Sequence, residues 1–363
     1  MTTNKKQRLV SLDLLRGLTV AMMILVNNGY GESFSQLRHV EWNGMTVCDL
    51  VFPFFLFMVG VSTYLSLRKT QFKPTPYVLR KIFKRTVLLF LIGLAINWFD
   101  HAIGGDVLCF GHLRIWAVLQ RIALCYLAAS LFAIYANHKY TIPTIVGLLV
   151  IYILIITVGN GYAFDAEANI LAQVDLHLFG YDHLYHKSPV DPEGLVSTIP
   201  AIAHTLIGFL CGKLVCSKVS PKEKVRNIFI FGLLLTIAGF ALSLWLPLNK
   251  RIWSPSFVLA TCGLAMLLLS LIMKIEQWSP SSMNKGGWVV LLVFGMNPLF
   301  LYVASEVVSI VFGATGIKDG AYALWHAVIA SGYWASVAYA ALFVTLHALM
   351  GWALWKKRVF IKL

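Results

Sequence analysis

Between its first two apolar segments the chain carries a polar stretch, residues 27–57, that holds Asn27, Asn28, His39, Trp42, Asn43 and Asp49. Two hydrophobic segments have no structural need for so many hydrogen-bonding groups between them, so this hairpin reads as a reactive centre. Histidine suits proton transfer near neutral pH because its ordinary pKa lies close by. Asp49 is spaced to orient the His39 ring and fix its tautomer, and the amide of Asn27 or Asn28 to donate to a developing oxyanion. Blander readings exist for both acid–base groups. His39 alone would be an interfacial histidine closing a helix end, and Asp49 a charge favourable against the dipole of the helix it begins. Trp42 and Asn43 complete the set as candidate substrate contacts.

Polar groups inside apolar stretches are costly in lipid and therefore informative. Asp13 and Arg16 stand at i,i+3 spacing, which suits an ion pair or an Arg contact to a phosphate. Gln120 and Arg121 fall inside an apolar segment, where snorkelling cannot easily rescue the charge. Asn297-Pro298 interrupts another, and such a break exposes backbone to a cavity or simply kinks the helix. Asp191 and Glu193 precede a helix, either to cap it or to bind a cationic acceptor. His204, His326 and His347 carry no motif and read as packing residues. No metal is expected: there is no HExxH, no histidine pair at i,i+4 beside a carboxylate and no Cys/His cluster by spacing. The six cysteines are scattered and read as small buried hydrophobes, although Cys48 and Cys109 both fall near one face, where a disulfide is conceivable.

The elements that must position these groups follow from composition. Of 363 residues, 58% are hydrophobic and 13% charged, with mean hydropathy +0.74. A soluble domain carries about a quarter charged residues. Apolar runs of roughly 20 residues recur, so the expected fold class is all-α, a single polytopic transmembrane bundle over residues 1–363. Ten helices are predicted over residues 11–26 (with Ser11 as N-cap), 46–67, 86–99, 113–136, 142–158, 196–215, 228–246, 256–273, 288–311 and 334–355. An interfacial or re-entrant helix is an option within 313–331. The net charge of +14 does not point to nucleic acid, because no basic stripe is interleaved with aromatics. Of the 30 Lys and Arg, only six fall in the predicted outer loops (Arg38, Arg114, Lys187, Lys250, Arg251 and Lys318). The rest, save Arg16 and Arg121 within spans, lie at the other face with Lys5, Lys6, Arg8 and the 68–85 connection. Both termini are therefore expected in the cytoplasm and the hairpin outside, in a bacterial inner membrane.

The runs SLDLLRGLTVAMMILVNN and LRHVEWNGMTVCDLVFPFFLFMVG, with LRIWAVLQRIALCYLA, SPVDPEGLVSTIPAIAHTLIG, KRIWSPSFVLATCG and FGMNPLFLY, resemble the heparan-α-glucosaminide N-acetyltransferase family of membrane acyltransferases. The blocks occur in order over nearly the whole chain. The resemblance implies transfer of acetyl from cytosolic acetyl-CoA to the amine of glucosamine or a terminal glucosamine. It implies His39 as base or acetyl carrier, Asn27 or Asn28 as polariser and Asp49 as the matching aspartate, and it allows a homodimer. The donor's anionic nucleotide is expected among Arg16, Arg121, Gln120, Asn297 and the Arg80–Arg85 cations. Trp42, Asn43, Asp191 and Glu193 are the expected acceptor contacts. An amino-sugar transporter and an O-acyltransferase of a surface polysaccharide are the competing readings.

Overall fold

The computed structural model describes residues 9–281, 283 and 285–361. Lys5, Lys6 and Arg8, on which part of the inside placement of the N-terminus rests, lie outside the described residues. The helices are α1 (Val10–Asn27), α2 (Val47–Leu67), α3 (Pro76–Ile103), α4 (Val118–Tyr135), α5 (Thr141–Val158), α6 (Ile170–Phe179) and α7 (Thr198–Val215). They continue with α8 (Pro221–Leu242), α9 (Pro255–Trp278), α10 (Gly287–Met296), α11 (Pro298–Ala314), α12 (Ile317–Val328) and α13 (Gly332–Lys356). No strand occurs among the described residues. Nine of these helices are long and apolar enough to cross a membrane, and α10 with α11 makes a tenth if the pair is one span, bent by 87°. The chain is a multi-pass membrane protein. Helices suit that solvent because each satisfies its own backbone where no water can.

Several boundaries lie outside the apolar runs because caps, not hydropathy, set them. The helix predicted at residue 86 begins ten residues earlier, where the Thr75 side chain accepts from the Val78 amide and Pro76 opens the first turn. Likewise α8 starts at Pro221, behind a Ser220–Glu223 capping box. The expected Ser11 cap is not used. The first helix begins at Val10 after Leu9, with no side-chain cap, and Ser11 is buried inside it. The Asn297-Pro298 interruption is a sharp break rather than a mild kink. Two further helices stand outside the ten spans: α6, in what reads as a loop, and α12, in the segment where an interfacial helix was an option.

The most extensive packings are α8 against α9, which follow each other in sequence, and α2 against α7 and α1 against α10, which do not. Small residues allow the closest of these approaches. A Cβ built on Gly60 of α2 falls 1.9 Å from the Thr205 carbonyl oxygen, and one on Gly208 of α7 falls 2.1 Å from that of Phe57. Both obstacles are backbone, which cannot swing aside. Gly60→Leu is therefore expected to destabilise the bundle by about 3 kcal/mol or more, read as a lower thermal midpoint and loss of the monodisperse peak. Gly147→Ala, with nothing within 4 Å of the new carbon, is expected to leave both unchanged.

Candidate active site

The hairpin folds so that one carboxylate holds both its helix and its histidine. At the start of α2, Asp49 Oδ2 accepts from the backbone amide of Thr46, the N-cap residue, at 3.1 Å and from that of Val40 at 3.3 Å. Its other oxygen, Oδ1, lies 2.8 Å from His39 Nδ1. The capping role and the orienting role, compatible as read from the sequence, are both filled by one residue. Asp49 is 1% exposed, whereas the His39 side chain is 42% exposed. A buried carboxylate therefore presents an accessible imidazole, with Nδ1 turned to the protein.

Two more groups complete this cluster. Lys250, on the α8–α9 connection, places Nζ 3.3 Å from Asp49 Oδ1, 3.0 Å from His39 Nδ1 and 3.5 Å from Nε2. Cys48 Sγ lies 3.2 Å from Nδ1. A proton on Nδ1, donated to Asp49, satisfies the carboxylate and leaves Nε2 with its lone pair. In that tautomer the Lys250 ammonium pairs with Asp49, whose charge offsets both neighbours. The sequence placed neither residue in the reactive cluster. Lys250 was counted only as an outer-loop cation, 201 positions from Asp49, and no local spacing could join them. All six cysteines are free, so Cys48 and Cys109 form no disulfide.

The rest of the expected set is divided. Asn27 is exposed at the end of α1 and its amide donates to Glu306 Oε1 of α11 at 3.4 Å. Asn28 turns inward, 2% exposed, and donates to the Ile24 carbonyl at 2.8 Å. Of the two, Asn27 is the one that faces outward from the helix. Trp42 donates to the Tyr162 carbonyl at 3.0 Å and stacks edge-on against Phe164. Asn43 Oδ1 accepts from the Asn249 amide at 3.1 Å. These last two residues dock the hairpin onto the neighbouring loops.

Asp191 and Glu193 are both buried, and each accepts from Arg114 Nη2, at 2.9 and 2.8 Å. Burial alone would lower the Arg114 guanidinium; the two carboxylates outweigh it and hold it above its ordinary value. This triad closes the loop before α7 instead of presenting free acids. Arg121 is fully buried, donates to the Gly194 carbonyl at 2.9 Å and to Ser197, and lies over the Trp253 ring at 5.2 Å. Its Nε and Nη1, and both side-chain heteroatoms of Gln120, are buried with no protein partner. Arg16 is occupied quite differently, by Asp13 at 3.0 Å and Ser62 at 2.9 Å. The cofactor candidates therefore form two groups, Gln120 and Arg121 in the first turn of α4 at the hairpin end, and Arg16 near the opposite end of α1. Asn297, at the α10–α11 break, belongs to neither. Its amide holds the C-terminal segment, donating to the Val359 carbonyl at 3.0 Å and accepting from the Ile361 amide at 2.8 Å.

His204 and His347 are buried packing residues bonded to the Pro53 and Phe343 carbonyls. Tertiary structure does assemble one cluster that spacing concealed: ligand atoms of His101, Asp106 and His112 lie within 4.8 Å of one another on the α3–α4 connection. His112 and Asp106 are already paired at 2.6 Å.

Against this geometry, a family model described as "Heparan-alpha-glucosaminide N-acetyltransferase, catalytic" matches residues 8–248. The chain belongs to that family. It is 28% identical to the human heparan-alpha-glucosaminide N-acetyltransferase over 92% of its length, and 27% identical to the mouse protein of the same name over 83%. It spans 58% and 53% of those two proteins, a little over half of each. The matched segment of the family model contains the whole hairpin with His39 and Asp49, and stops just short of Lys250.

One buried acid in this region titrates in an accessible range. Asp175 of α6 is 1% exposed, and Oδ1 accepts from the Leu195 amide at 3.0 Å. Burial pushes its carboxyl up to about 6, against the pull of that hydrogen bond. The native state thus holds the proton more tightly than the unfolded chain. The stabilisation is complete below pH 4 and is lost as pH rises through 6. At roughly 1.4 kcal/mol per unit, thermal unfolding should show about 3 kcal/mol less stability at pH 7.5 than at pH 4 from this group. Asp175→Asn is expected to remove that share of the pH dependence; an unchanged slope would refute the assignment.

Proposed function

We propose that the chain is a transmembrane N-acetyltransferase. In this reading acetyl passes from acetyl-CoA, bound from the cytosolic side, to the amine of glucosamine or a terminal glucosamine at the hairpin end. Both termini are cytoplasmic and the hairpin faces outward, in an inner membrane. The observation that carries the reading is the Asp49–His39 pair, a buried carboxylate fixing an exposed imidazole, in a chain of this family.

His39 Nε2 takes the proton of the acceptor amine as its nitrogen attacks the thioester carbonyl. Asp49, at 2.8 Å from Nδ1, keeps the tautomer and stabilises the imidazolium as it forms. Lys250 keeps the Asp49 charge balanced, so the carboxylate orients the ring without stripping its proton. The Asn27 amide is the candidate donor to the carbonyl oxygen, where negative charge develops. The C–S bond then breaks and the thiolate leaves with a proton returned from the imidazolium. Direct transfer needs only these groups; a transient acetyl on His39 is the other route.

The donor is an anionic substrate and needs cations. Arg16, the exposed Arg80, Lys81 and Lys84, and the half-buried Arg85 suit its phosphates at the end opposite the hairpin. The unpaired edge of Arg121 and the unpaired Gln120 amide suit the polar arm nearer the reaction. The hydrocarbon core between the two compartments is about 30 Å thick, so donor and acceptor must meet along the bundle rather than at one face.

Purified protein should move labelled acetyl from acetyl-CoA to glucosamine, giving an amide that resists mild base. His39→Ala is expected to lower the rate about 10³-fold and Asp49→Asn about 10²-fold, with both variants still eluting as folded protein. Full turnover by His39→Ala would end the assignment of the base. A base-labile product would point to O-acylation, and sugar counterflow without acetyl-CoA to a transporter.

A further inference from the structure

Between the outer ends of α3 and α11 lies a cavity of about 570 Å³, lined by Asp100, Ile103 and Gly104 of the first and Glu306, Ser309 and Gly313 of the second. The α11 residues repeat at helical spacing, so a single face of that helix forms one wall. Glu306 is the deepest of them along α11, and it lies within the bent span. Lys187 and Lys318 approach the cavity from the long loop and from α12.

Glu306 differs from Asp49, Asp191 and Glu193 in what surrounds it. Among the described residues no Lys or Arg pairs with it, and its one hydrogen bond is the long contact from Asn27. A second carboxylate, Asp100, acts on it electrostatically. By contrast, Asp49, Asp191 and Glu193 each have a cationic partner. An intramembrane carboxylate that borders a cavity and forms no salt bridge is an incomplete ion pair. The two lysines do not complete it. Neither forms a salt bridge with Glu306, and burial, helped by the charge of Lys187 and against the pull of Asp319, holds the Lys318 ammonium below its ordinary pKa.

We infer that this cavity is the acceptor's amine site, with Glu306, backed by Asp100, binding the ammonium group of an amino sugar. The inference rests on the acetyltransferase reading for the identity of the acceptor. Three features fit that ligand. The volume falls within the range of small-molecule sites. The lining mixes carboxylates with ammonium groups, which suits an amine carried on a hydroxylated body: Glu306 and Asp100 accept from the amine, and Lys187 and Lys318 donate to hydroxyls. The Asn27–Glu306 contact joins the floor of the cavity to the hairpin that bears His39, so the amine is delivered next to the candidate polariser. Glu306 here is a binding and positioning residue; proton removal stays with His39.

The test is equilibrium binding to the purified full chain in detergent, without acetyl-CoA, using glucosamine, N-acetylglucosamine and glucose as probes. The wild type is expected to bind glucosamine about tenfold or more tightly than the two sugars that lack the ammonium group. Glu306→Gln, close in shape, should erase that preference, Glu306→Asp should keep part of it, and Asp100→Asn should weaken it. Retention of the full preference in Glu306→Gln, or no preference in the wild type, overturns the inference. Because no acetyl transfer is read, the outcomes separate. Amine preference lost in Glu306→Gln without any transfer activity would remove the enzyme reading alone. Transfer to glucosamine with a Glu306-independent preference would remove this one alone.

Discussion

A hydrocarbon solvent offers no partner to a polar side chain, and the placement of every polar group in this bundle answers to that constraint. Within the spans several small hydroxyls satisfy themselves one turn back: Thr19 bonds the Leu15 carbonyl, Thr63 that of Val59 and Thr205 that of Ala201. The charged groups cannot do this: Asp13 and Arg16 pair near one end of α1, and the other buried ion pairs are gathered at the hairpin end. There the connections around residues 104–117, 160–197 and 243–254 supply counter-charges from far along the chain. Asp49, Arg114 and Arg121 are each held by residues at least 70 positions away.

Asp49 shows why such an arrangement favours chemistry. A carboxylate that only capped α2 would need one oxygen, and here that oxygen is saturated by backbone amides. The other is left for a histidine and a lysine. Because the cap fixes the carboxylate rigidly to the helix, the imidazole inherits a fixed orientation at little entropic cost, although the ring itself stands in the open. A loop residue gains the precision of a helix.

Much of this could be read from the chain. Apolar runs marked the spans because hydrophobicity over roughly 20 residues is a local property. His39 and Asp49 were legible since their partnership spans ten residues on one hairpin. Lys250 and Glu306 were not, because each meets the hairpin only through tertiary packing, across more than 200 positions. The pairing of Asp191 and Glu193 was hidden for a similar reason: read locally they are acids that cap a helix or meet a cationic acceptor, and their shared bond to Arg114 needs the fold. The early starts of α3 and α8 were hidden because their first turns are basic and polar, and only the Thr75 and Ser220 caps announce them. Asn297 was legible as a break, but not as the residue that holds Val359 and Ile361, since that contact needs the fold.

The two pairs of acids at the hairpin end make the final distinction. Asp191 and Glu193 lie close together and share one guanidinium, which itself stacks at 4.4 Å on Tyr185. That group is closed: every charge has a fixed partner, and removing any member would strand another in a buried site. Asp100 and Glu306 are also within electrostatic reach of each other but share no cation, and they border open volume. Folding alone would favour replacing such an acid by an apolar residue, because an uncompensated carboxylate in this environment stabilises nothing. Their place beside a cavity, with Glu306 half-buried and Asp100 exposed, is intelligible when a positive charge comes from outside the chain, and the same reasoning marks the Arg114 triad as part of the scaffold.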